Sequence, residues 1–233
     1  MIHQKQQASS SSQSGFTIIE SLVAIVVVGI LLAAIAPVIV LSVATRVQAR
    51  RVELATDAAK TYIDGVRSGI ISPPPITTKS TGDTTDPPPP DAPSGTLTCP
   101  TTGSSLCSIS PAITASQLYC VDGDTGGCTT NNFKDMIVQA FGYNPISNNA
   151  QDGYKLGLRV YRADAFNQPR ITLQASKDPN IKQAQTFTGG TGLTSIQAPL
   201  VETTTEISSK ATTFNDFCER LKSPGSSNSQ SHC

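Results

Sequence analysis

The chain changes character abruptly at residue 16. Before it the sequence is polar, with His3, Lys5, three Gln before Ala8 and a Ser-rich run from Ser9 to Ser14. From Phe16 to Ala44 there are 29 residues with one charge, Glu20, and from Leu22 to Leu41 there are 20 with none. Twenty apolar residues are about what a helix needs to cross a bilayer core of roughly 30 Å. The stretch is too long for the apolar region of a cleaved signal peptide, about 7–15 residues, and too uniformly apolar for the core helix of a soluble domain. From Arg46 to Arg67 the pattern turns amphipathic. Val52, Ala55, Ala59, Tyr62 or Ile63, and Val66 recur at three- and four-residue spacing, with Arg51, Glu53, Asp57, Lys60 and Asp64 between them. Gly69 reads as a stop. The pattern predicts one helix from Phe16 to about Ser68.

Ser72 to Pro93 carries Pro73-Pro74-Pro75 and Pro87-Pro88-Pro89-Pro90. Such a segment is neither helix nor central strand, and reads as an extended spacer or surface loop. No aromatic or basic residues flank the prolines in the manner of a docking motif. From Thr96 the chain reads as a small domain. Thr130 to Tyr143, with Phe133, Ile137, Val138, Ala140 and Phe141, predicts a short helix ending near Gly142. Tyr154 to Arg162 alternates, with Leu156, Leu158 and Val160 on one face and Lys155, Arg159 and Tyr161 on the other. Ile171, Leu173 and Ala175 repeat the alternation, and Asn167-Gln168-Pro169 reads as the turn of a hairpin joining the two runs. Pro199 to Ser208 is a third strand candidate. The expected fold class is α+β, a long N-terminal helix packed on a small antiparallel β-sheet.

Composition removes several functions. Among 233 residues 17 are basic and 17 acidic, so the net charge gives no case for a nucleic-acid partner. The sequence has no GxSxG, Walker A, HExxH or dinucleotide fingerprint, and its two histidines, His3 and His232, lie near the chain ends. Neither an enzyme nor a cofactor is expected. Six cysteines, Cys99, Cys107, Cys120, Cys128, Cys218 and Cys233, allow 15 pairings. Two equal gaps of eight residues point to local bridges Cys99–Cys107 and Cys120–Cys128, with Cys218–Cys233 closing the C-terminal end. Zinc would want CxxC pairs or nearby His ligands, which are absent. Asp122 and Asp124, in Asp-Gly-Asp-Thr-Gly-Gly, are a weak calcium candidate. They lack the third ligand and the distal Glu of a full calcium loop, and a tight Gly-rich turn is the plainer reading.

The residues Gly15-Phe16-Thr17-Ile18-Ile19-Glu20, after a polar leader and before an unbroken apolar helix, resemble the prepilin peptidase site of type IV pilins and pseudopilins. The resemblance implies cleavage after Gly15, methylation of the new N-terminal Phe16, and retention of the apolar segment. Thr17, Glu20 and Pro37 would then be mature residues 2, 5 and 22, with roles in assembly. It also implies that Glu20 of one subunit faces the Phe16 amine of its neighbour. A carboxylate in an apolar segment is costly without a partner, and such a pair is a register device. Pro37 removes one helical hydrogen bond, which membrane helices tolerate, and would lend the helix compliance. The implied partners are the prepilin peptidase, other pilins or pseudopilins, the inner-membrane assembly platform and the membrane itself.

The resemblance divides the chain into a leader (1–15), a transmembrane and assembly helix (16–44), its amphipathic continuation (45–70), a Pro-rich linker (71–95) and an exported Cys-containing domain (96–233). It implies a single pass through the inner membrane with the C-terminal domain extracytoplasmic. Counting cations argues the reverse orientation, since Lys5 precedes the apolar segment while Arg46, Arg50, Arg51 and Lys60 follow it.

The stretch Ile39 to Ala55, running into Lys60 to Gly69, is similar to cyanobacterial pseudopilins of the hormogonium polysaccharide secretion group, with the resemblance carried by roughly residues 14–75. It implies a minor pilus-like component supporting polysaccharide export and gliding. A pseudopilin of type II secretion or DNA uptake is a second expectation. A membrane-anchored extracytoplasmic binding protein that never polymerises is a third.

Overall fold

The computed structural model describes Gly15 and residues 17–80, 86–100, 105–167, 172–175 and 194–221. The chain divides into two compact units, Met1–Val47 and Gln48–Cys233.

Helix α1 runs over Ile18–Ser68, with Pro37 inside it. It starts where the sequence supplies a cap: Thr17 Oγ1 accepts a hydrogen bond from the Glu20 amide at 3.3 Å, as an N-cap threonine does. It stops at Gly69, whose φ of +77° suits glycine. The Gly69 amide donates to Val66 O at 3.1 Å and the Ile71 amide to Gly65 O at 3.0 Å. The expected helix is therefore present from Ile18. Phe16 lies outside the described residues.

In the second unit the helix buries Ala55, Ala58, Ala59, Tyr62 and Val66; Ala55, Ala59, Tyr62 and Val66 belong to the expected stripe, Val52 is only partly buried against the same core, and Ala58 was not expected. The alanines let the backbone approach the sheet closely, and Tyr62 anchors it. Its ring meets Tyr119 edge-on at 5.4 Å, and its hydroxyl donates to Gln117 Oε1 at 2.7 Å.

The sheet contains β1 (Ile76–Thr77), β2 (Thr96–Thr98), β3 (Leu106–Ser110), β4 (Gln117–Val121), β5 (Met136–Tyr143), β6 (Tyr154–Arg162) and β7 (Val201–Ile207). Its order is β2-β3-β4-β5-β6-β7, with β1 beside β5. All pairings along that path are antiparallel. β1 is parallel to β5 and pairs with Gly142 and Tyr143, just beyond Ala140, where β4 stops. Met136, Val138, Ala140, Tyr154, Leu156, Leu158 and Val160 join the helix stripe in one core. On the opposite face Leu97, Ile109, Leu118, Cys120, Cys128 and Ile137 form a second core. Two short helices follow, α2 (Thr194–Gln197) and α3 (Phe214–Leu221).

Two sequence expectations are overturned. The segment expected to be a helix within Thr130–Tyr143 forms β5, a central strand. Residues 136–140 are buried on both faces, so the run shows no polar alternation and its apolar spacing mimics a helical stripe. The expected hairpin partner of Tyr154–Arg162 is not strand over its described part, residues 172–175, because both edges of β6 are taken, by β5 and β7; residues 168–171 lie outside the described residues. Ala163–Asn167 is a short 3-10 helix. Leu173 is buried through packing against Tyr161 and Ala165. Gln174 is held through its backbone, accepting from the Tyr161 hydroxyl at 2.8 Å and donating to Gln197 O at 2.8 Å. The third strand candidate is present as β7.

The described parts of the Pro-rich segment lie on the sheet. Arg159, fully buried in β6, donates to Pro90 O at 2.7 Å. Gln139, fully buried in β5, donates to Asp91 O at 2.7 Å and to Ser116 Oγ at 3.1 Å. The Tyr143 hydroxyl reaches Asp86 at 2.5 Å. Arg159 is balanced by Glu202 at 2.8 Å and lies over the Phe141 ring, 5.0 Å from its centroid. Phe141 fits there because Gly157 is opposite it in the register; a Cβ at 157 would collide with the ring.

Candidate functional site

The N-terminal site is built from the start of α1. Gly15 is exposed and outside any regular element, the state in which a backbone can enter a peptidase. Thr17 and Glu20 stand in the Thr-x-x-Glu spacing of a capping box. The Glu20 amide donates to Thr17 O at 3.1 Å as well as to its hydroxyl, and Ser21 Oγ donates to Ile18 O at 2.9 Å. Two of the three residues that the resemblance marks for assembly, Thr17 and Glu20, thus also sit at the start of the helix, a signal the sequence reading passed over. Glu20 is exposed among exposed apolar neighbours, Ile18 at 87 % and Ile19 at 72 %. The helix is continuous through Pro37. Along the apolar half the large side chains stay exposed, which a helix apolar all round tolerates only in apolar surroundings.

In the second unit, Cys99–Cys107 and Cys120–Cys128 are disulfides with Cα separations of 4.3 and 6.2 Å. These are the two local bridges expected from the equal spacing. Cys218 is also disulfide-bonded, and Cys233 lies outside the described residues.

The calcium candidates Asp122 and Asp124 are joined by Asp135, which the sequence reading missed. Their carboxylate oxygens lie within 4.8 Å of one another. Every one of these oxygens accepts a hydrogen bond from within the loop. Asp122 takes the Asp124 and Gly127 amides. Asp124 takes the Gly126 amide and Asn132 Nδ2. Asp135 takes the Gly123 and Thr129 amides and Asn132 Nδ2. The carboxylates therefore serve as turn-closing acceptors beneath the Cys120–Cys128 bridge. Donation from Gly126, then from Asn132, holds the Asp124 carboxyl below the usual range. Burial pushes Asp135 up, against the amide bonds from Thr129 and Gly123. Asn132-x-x-Asp135 directly after the Gly-rich run was the available signal.

An exposed Gly15 before a capped apolar helix with one acid, and a sheet packed on that helix's amphipathic continuation, are consistent with a pilin-like subunit. A family model, Prokaryotic N-terminal methylation motif, matches residues 10–36. The match supports a pilin- or pseudopilin-type protein, with prepilin processing and membrane anchoring as general expectations. No curated protein and no solved structure matches the chain.

Proposed function

We propose that the protein is a minor pilin or pseudopilin, a structural subunit of a type IV pilus-like machine. The observation that carries this reading is the methylation motif over residues 10–36 running directly into the 51-residue helix Ile18–Ser68, whose apolar half carries only Glu20 as a charge. Prepilin peptidase cuts after Gly15 and methylates the Phe16 amine. The apolar helix holds the subunit in the inner membrane with its C-terminal domain outside, and then enters a filament beside other pilins or pseudopilins on the assembly platform. There Glu20 accepts the Phe16 amine of a neighbour, which neutralises two charges and sets the axial register. Within this class, the resemblance of residues 39–69 to hormogonium polysaccharide secretion pseudopilins supports a role in polysaccharide export and gliding.

The test is the N-terminus of the chain isolated from its own membranes. Mass spectrometry should find N-methylated Phe16 as the first residue. A chain that keeps residues 1–15 would overturn the reading.

A further inference from the structure

The two bridges are not independent. Cys99 directly follows β2, and Cys107 lies in β3, where the β2–β3 register sets it across from Cys99. Cys107 pairs with Leu118 of β4, so it shares a face with Leu118 and with Cys120 two residues on. The Cys120 amide is tied to Ser105 O at 2.7 Å. Three strands thus stack their sulfurs on one face, and the Sγ atoms of Cys99, Cys107 and Cys120 all lie within 4.8 Å of one another. Burial differs sharply between the bridges. Cys120 and Cys128 are 1 % and 8 % exposed, whereas Cys99 and Cys107 are only half-buried.

We propose that Cys99–Cys107 is an entry site for dithiols, whether a small reductant or the paired thiols of an oxidoreductase, and that Cys120–Cys128 is reached through it. Thiol–disulfide exchange needs a thiolate able to approach a disulfide sulfur. An external dithiol meets the half-buried bridge first. Its thiolate attacks Cys99 Sγ, the Cys99–Cys107 bond breaks, and Cys107 leaves as a thiolate. The dithiol's second sulfur closes onto the first, frees the Cys99 thiolate and completes the oxidation of the dithiol to a disulfide.

Cys107 Sγ now stands beside Cys120 Sγ. It attacks, a Cys107–Cys120 bond forms, the Cys120–Cys128 bond breaks, and Cys128 departs as a thiolate that takes up a proton. Cys99 then attacks Cys107, restores the outer bridge and releases Cys120, which is protonated in turn. One dithiol is oxidised, one buried disulfide is reduced, and the outer bridge ends as it began. Run in reverse, the same steps carry oxidation inward to Cys120 and Cys128. The loop closed by the inner bridge, with its Asp122, Asp124 and Asp135 network, is what the exchange would open.

The test uses the full folded chain in detergent with dithiothreitol as the dithiol, acid quenching, alkylation and peptide mapping. With about one equivalent of dithiol, wild type should yield a trapped peptide joining Cys120 to Cys107, and alkylated Cys128. In the Cys99→Ser/Cys107→Ser variant, reduction of Cys120–Cys128 should slow by about tenfold, because an intramolecular attack at millimolar effective concentration has been removed. Should that variant fold poorly, the wild-type trapping decides alone. Absence of any cross-bridge peptide, or reduction of Cys120–Cys128 at the wild-type rate in the folded variant, would overturn the proposal.

Discussion

Replacing Arg159 by Met tests the polar layer that fastens the Pro-rich segment to the sheet. The Arg159 side chain is 0 % exposed and that of its ion-pair partner Glu202 is 10 % exposed. Arg159→Met keeps the hydrophobic stem but takes the guanidinium away from the Glu202 carboxylate, and removes the donor to Pro90 O. Breaking a buried pair from one side costs about 3–5 kcal/mol, most of it the stranded charge. For a unit of this size 1 kcal/mol corresponds to about 2–4 °C in Tm, so the expected loss is roughly 6–20 °C. Removing both charges, in Arg159→Met/Glu202→Met, should recover at least half of that loss, since neither charge of the pair remains. Near-UV circular dichroism of the full chain in detergent suits the measurement. The chain has no Trp and five Tyr, all between residues 62 and 161, so the signal reports on the second unit. A fall of less than about 2 °C in the single variant, or a double variant no more stable than the single one, would refute the stranded-charge argument.

Four further outcomes are expected. Glu20→Ala should leave membrane insertion and cleavage largely intact while abolishing incorporation into filaments, read by shear-fraction immunoblotting; normal incorporation counts against the register role. Tyr62→Phe removes the hydrogen bond to Gln117 and should cost about 1 kcal/mol, seen as a lower urea midpoint with unchanged slope. Gly157→Val pushes a side chain into the Phe141 ring and should cost about 1–3 kcal/mol by overpacking, with the same assay. The Asp216 carboxylate accepts from the Thr213 amide and hydroxyl, which hold it below the usual range; its cap on α3 is therefore present above the ordinary aspartate value and lost as pH falls through the depressed one, so amide protection in Phe214–Leu221 should fall with acid in wild type and lose that dependence in Asp216→Asn.

The elements that were legible in the sequence are those whose burial is one-sided. The helix stripe from Val52 to Val66 faces one core and one exposed side, so period alone finds it, and β7 was marked by the apolar residues Leu200, Val201 and Ile207 near its ends. β5 was misread because residues 136–140 are buried on both faces, and Gln139, the one polar residue among them, is satisfied by Asp91 O and Ser116 rather than by solvent. The false hairpin came from judging Tyr154–Arg162 by its nearest neighbour, while its partner β7 begins about 40 residues later. The cleavage motif needs no fold to be seen. Asp135 has only the Asn132-x-x-Asp135 spacing to mark it, and the Arg159–Glu202 pair has no local signal, because it forms only through the β6–β7 register.

In the proposed assembly, Glu20 bears on how one helix would serve two surroundings. Along α1 from Ile18 to Val43, apolar side chains such as Ile30 at 65 % and Val40 at 69 % stay exposed. A lipid core and a bundle of identical helices satisfy that surface about equally well, since neither offers water to exclude. The hydrophobic surface therefore does little to choose between them. In the proposed filament the carboxylate would choose. In lipid, Glu20, near the start of the helix, would carry a desolvation cost that the membrane edge relieves. In a bundle it can accept a neighbour's α-amino group, so the same cost is offset by an ion pair that exists only when subunits are correctly staggered. The proposed preference for filament over membrane is then concentrated in one side chain whose partner, the Phe16 amine, does not exist until the peptidase has cut.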